Sequence, residues 1–79
     1  MFYKVKIWWN GTQVLDARAT LVMAYDIARA QADNFAGKSQ KEALDAMPQS
    51  IEDVKIVAAE KSFWRYFDDT GDLQVWIGD

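Results

Sequence analysis

Between Thr20 and Gly37 the apolar residues recur at helical steps. Leu21, Ala24, Tyr25, Ala28, Ala32 and Phe35 share one face, while Asp26, Arg29 and Asp33 share the other. The spacing predicts one helix over 20–37 lying across a small antiparallel sheet. Thr20 is placed to cap its start, and Gly37 suits the left-handed residue that closes it. Three alanines in the buried stripe let the backbone approach its partner, and Tyr25 and Phe35 fill space at its edges.

Before this helix the period is two. Tyr3, Val5, Ile7 and Trp9 point one way, and Phe2, Lys4, Lys6 and Trp8 the other. Asn10-Gly11 is a hairpin signal, because both residues tolerate positive φ. The return strand, Thr12 to Ala19, admits two registers. A two-residue turn sets Val14 beside Ile7 but Asp16 beside Val5. A three-residue loop with Gly11 as the bulge sets Leu15 opposite Val5 and Ala17 opposite Tyr3, and it is preferred for its apolar inner face.

After the helix, Ser39 and Glu42 have capping-box spacing and Pro48 forbids continuation, so a short helix is expected over 40–46 with Leu44 and Met47 inward. The signals conflict from Ser50 to Lys61. Ser50-Ile51-Glu52-Asp53 reads as a helix start, yet Val54, Ile56 and Val57 are β-branched, and a strand over 53–59 is expected. Phe63 to Phe67, a turn over Asp68–Gly71, and Asp72 to Ile77 then form a closing hairpin. Leu73, Val75 and Ile77 face the core. Trp64 and Tyr66 join them, because the opposite parity buries Arg65. The expected architecture is a single α+β domain over 1–79. An N-terminal hairpin and a C-terminal three-stranded meander form the antiparallel sheet, with one main helix on one face and a short second helix.

One helix covers one face of such a sheet. Parity gathers Lys4, Lys6 and Trp8 on the other, with Phe63, Arg65, Phe67, Gln74 and Trp76. Aromatic rings interleaved with cations on a flat surface are the composition of an interaction site, with Trp8 and Trp76 as anchors and Arg65 as a hot spot. Cross-strand aromatic pairs that merely brace the sheet account for the same residues, and both readings stand.

Composition narrows the chemistry. The chain has 79 residues, 51% of them apolar, with four Trp, four Phe and three Tyr but neither Cys nor His. It therefore lacks disulfides, thiolate metal sites, the commonest general base and the commonest metal ligand. A net charge of −3 opposes general affinity for nucleic acid, which depends on neutralising phosphates. Protein binding through the open face is thus favoured. Single-stranded nucleic acid stacking on the same rings is the runner-up, and a homodimer that uses the patch as its own interface is the third reading.

No apolar run approaches the length needed to span a bilayer, and Met1 leads directly into a strand-like pattern, so a cytoplasmic protein without membrane attachment is expected. Asp69-Thr70-Gly71 spells the triplet of aspartic proteases. Its flanks Asp68 and Asp72 belong in water, however, and a hairpin turn explains it better. The same stretch lacks the bidentate glutamate that completes a calcium loop. No phosphate-cradling motif occurs. No enzyme, metal or cofactor is expected.

Tyr3-Lys4-Val5-Lys6-Ile7, Asn10-Gly11, Val14 and Ala17-Arg18-Ala19, followed by an alanine-rich helix and later strands, resemble in layout small phage-encoded anti-CRISPR proteins. These target type I surveillance complexes and include tiny acidic chains built from a hairpin, a helix and a small sheet. The resemblance implies a non-enzymatic inhibitor acting in the host cytoplasm, without cofactor, that occupies a protein surface. These inhibitors share no motif from which functional residues can be carried over.

Overall fold

The strands at the two ends of the chain pair with each other in the middle of one four-stranded antiparallel sheet. In this computed structural model, which describes residues 1–78, the order across the sheet is β2-β1-β4-β3. The strands are β1 (Tyr3–Trp9), β2 (Thr12–Ala19), β3 (Phe63–Phe67) and β4 (Asp72–Gly78). Between the two hairpins run α1 (Leu21–Ala30), α2 (Gly37–Ala46) and α3 (Ile51–Glu60), all on one face. The fold is α+β, as the pattern predicts.

The core lies between the layers. Val5, Ile7, Leu73, Val75 and Ile77 project from the sheet, and Ala24, Ala28, Ala43 and Val54 from the helices; all are buried. Trp64, Tyr66, Leu15 and Trp9 pack partly buried around them. Phe35 sits between Trp9 and Tyr66 in edge-to-face contacts, with centroids 5.3 and 5.0 Å away.

The first hairpin adopts neither expected register: Leu15 pairs with Ile7 rather than Val5, and Ala17 with Val5 rather than Tyr3. Asn10 and Gly11 both have positive φ, 52° and 82°, and form a two-residue turn with Trp9 opposite Thr12. The bulge is not at Gly11. It falls inside the strand, where Ile7 pairs with Leu15 but Trp8 with Gln13, leaving Val14 as the extra residue. That shift turns Leu15 and Ala17 inward, opposite Ile7 and Val5, and sends Asp16 outward.

Between the two hairpins, two expected helices and one expected strand differ from the structure. The segment 20–37 is not one helix: α1 ends at Ala30, a 3₁₀ turn occupies Gln31–Asn34, and Phe35 is extended. Gly37 does not close that helix but opens α2, with φ of 57°. α2 starts earlier than expected and has no side-chain cap, so Ser39 and Glu42 lie within it rather than bounding it. The expected strand 53–59 is α3, so the C-terminal unit is a hairpin rather than a three-stranded meander. The Ser50 hydroxyl caps α3 by accepting from the Asp53 N–H, and Asp53 accepts in turn from the Gln49 N–H. Burial of Val54 outweighs the β preference of its neighbours.

Candidate aromatic and cationic sheet face

The open side of the sheet is set by strand parity. Val5, Ile7, Leu73 and Val75 are fixed inward by burial, so Lys4, Lys6, Trp8, Gln74 and Trp76 must point out. The register then sorts them into rows. Asp16, Lys6, Trp76 and Phe63 form one row across all four strands, and Gln13, Trp8, Gln74 and Arg65 form the next. Phe67 stands opposite Asp72, and Arg18 opposite Lys4. Every residue expected at the partner-binding face, namely Lys4, Lys6, Trp8, Phe63, Arg65, Phe67 and Trp76, lies on this one surface.

Phe63 and Phe67 are exposed, at 52% and 62%, while Trp8 and Trp76 are half-buried by their neighbours. The Lys6 ammonium stands 5.5 Å from the Trp76 ring centre, and the Arg65 guanidinium 4.7 Å from that of Phe67. Trp76 folds its indole over Gly78, where a Cβ would lie 2.5 Å from the ring. The absent side chain is what lets the indole approach the main chain there.

Arg65 carries a feature that spacing alone did not reveal. Its Nε and Nη2 donate to the two carboxylate oxygens of Asp72 at 3.0 and 2.9 Å, a forked pair across the β3–β4 hairpin. The pair raises the Arg65 pKa and holds the Asp72 carboxyl below its usual range. Arg65 is therefore a neutralised element of the face, and Lys4, Lys6 and Arg18 carry its unclamped positive charge. Asp16 and Asp72 are the acids on this side, whereas the helical layer exposes Asp26, Glu42, Asp45, Glu52 and Glu60 interspersed with Lys38, Lys41, Lys55 and Lys61. The sheet face is cationic on an acidic chain.

The turn with the protease-like triplet is occupied by structural bonds. Asp68 accepts from the Thr70 N–H at 2.7 Å, and its own N–H donates to the Gly71 carbonyl at 3.0 Å. The Tyr66 hydroxyl lies 2.7 Å from Glu42 and 3.0 Å from Asp68, and its single proton serves one carboxylate at a time. Its pKa is raised above the ordinary 10.0, chiefly by the bond to Glu42. The Asp68 carboxyl is lowered, first by the Ser39 hydroxyl and then by the Thr70 N–H and Tyr66. These bonds tie α2 to the second hairpin. Asn10 ties the two turns together by exchanging bonds of 2.8 and 2.9 Å with the main chain of Asp72.

Among the described residues no cavity opens, no group of three or more Asp, Glu, His or Cys is placed to hold a metal ion, and no helix is long and apolar enough to cross a membrane. No family model, curated protein or solved structure matches the chain.

Proposed function

We propose that this chain is a non-enzymatic protein-binding module that docks through the open sheet face onto a host protein complex. On this reading it is a cytoplasmic inhibitor of the anti-CRISPR kind, carried by a phage or other mobile element. One observation carries the proposal: Trp8, Trp76, Phe63 and Phe67 share a flat face with Lys4 and Lys6 on the side that no helix covers. Clustered rings with cations supply large contact area and electrostatic steering together, and that suits an acidic protein surface. Asp16 and the clamped Arg65 leave the face short of the continuous positive track that a nucleic-acid backbone requires.

Two measurements test the reading. Trp8→Ala and Lys6→Glu should each reduce recovery of a specific partner from host lysate, whereas Ile56→Ser on the exposed side of α3 should not. Equal recovery by all the variants contradicts it. Titration with fluorescent single-stranded oligonucleotides at low salt should show no saturable binding; tight, salt-sensitive binding would transfer the face to nucleic acid.

A further inference from the structure

We propose that the outer edge of β3 pairs antiparallel with the same edge of a second copy, joining two four-stranded sheets into one. The inference is independent of what the open face binds. The Asp68 N–H donates to the Gly71 carbonyl, so that residue's polar groups face β4. Alternation along an antiparallel ladder turns those of Tyr66 and Trp64 the same way and those of Phe67, Arg65 and Phe63 outward. β3 ends the sheet order, and among the described residues no other main-chain segment bonds to those outward groups.

The two edges of this sheet differ. β2 is blunted by the bulge at Val14 and by exposed Asp16 and Arg18, features that discourage strand addition. β3 reads Phe63-Trp64-Arg65-Tyr66-Phe67, with no Pro, Gly, Lys or bulge, and its one charge is clamped by Asp72. Such an edge is a template for a further strand.

Self-matching identifies that strand. The segment is an aromatic palindrome about Arg65. A two-fold antiparallel pairing centred there sets Phe63 against Phe67 of the partner subunit on the open face, and Trp64 against Tyr66 of the partner subunit on the helical face. Every outward N–H and C=O of the edge finds a counterpart in this register. The two Arg65 side chains meet across the axis, each already neutralised by its own Asp72. An unrelated strand has no reason to match ring for ring in this way. The contact is short, which places the dimer in the weak, concentration-dependent class.

Sedimentation over a concentration series tests this. The wild-type mass should rise from one chain to two across the micromolar range. Phe63→Lys/Phe67→Lys, at positions more than half exposed, should stay at one chain while keeping its far-ultraviolet spectrum. Phe63→Lys/Phe67→Glu should recover the dimer, because opposite charges then face each other in both rows. The chain has no cysteine, so Arg65→Cys offers a second readout: oxidation should link two chains at the axis, where paired Cα atoms about 5.5 Å apart suit a disulfide. Lys55→Cys on α3 should link far less. A wild type that stays single to millimolar concentration overturns the proposal. So does a dimer that survives the two lysines, a charge-swapped variant that stays single, or equal linkage at positions 65 and 55.

Discussion

Asp68, Asp72 and Tyr66 link the stability of this protein to pH through three neighbouring contacts. The folded state lowers the pKa of both aspartates, so on acidification each binds its proton later when folded than when unfolded. The stability they add is complete above the ordinary value of 3.8 and is lost as pH falls through the lower folded values. Melting temperature measured from about pH 6 to about pH 2 should fall at the acid end, and Asp68→Asn should fall less steeply. Tyr66 has the opposite sign. Its folded pKa is raised, so its contribution is complete below 10.0 and declines as pH rises beyond that. In a separate series carried above pH 10.0, Tyr66→Phe should flatten the alkaline fall in melting temperature. Gly71 has no room for a side chain. A Cβ there would lie 2.4 Å from the Trp9 indole, so Gly71→Ala should lower the melting temperature by displacing the ring from its contact with Phe35.

Helix α3 shows how local signals compete with tertiary burial. Its β-branched residues favour a strand, while the Ser50 cap, Glu52 and Asp53 in the first turn, and Ala58 and Ala59 near the end point the other way. Val54 settles the contest by burying against the sheet, a gain invisible in a single segment. Ser50→Ala should therefore cost about 1 kcal/mol in urea unfolding, the usual weight of a lost N-cap. A loss near zero would mean that tertiary packing alone holds the helix. Where patterning and turn chemistry agreed, the chain was readable: Asn10-Gly11, the alternation of β1, and the Phe63–Ile77 hairpin all fold as their residues indicate. The face residues were readable for the same reason, since a period of two needs no tertiary knowledge. The bulge at Val14 and the Arg65–Asp72 fork were not, because each depends on how one strand is set against another. Nor was the break after Ala30. Apolar spacing continues through Ala32 and Phe35, yet the chain tightens to a 3₁₀ turn there so that Phe35 can enter between Trp9 and Tyr66.

In the molecule as a whole the two sides of the sheet differ in what covers them. Three helices press onto one face and enclose the core, and all of them belong to the connection between the two hairpins. The other face keeps half-buried indoles, exposed phenyl rings and cations in ordered rows. Lys4, Lys6 and Arg18 outnumber Asp16 among the unclamped charges of the open strands, so on the proposed reading an acidic partner is steered toward that side. Raising the salt concentration should slow association with such a partner more than it speeds dissociation, readable in surface-bound kinetics. Hydroxyl-radical footprinting of the complex, read residue by residue by mass spectrometry, tests the binding face most directly. Trp8, Phe63, Phe67 and Trp76 should become protected when the partner binds, while exposed Met23 and Ile56 on the helical layer label as in the free chain. Protection of Met23 and Ile56 with the four rings still labelled would contradict it.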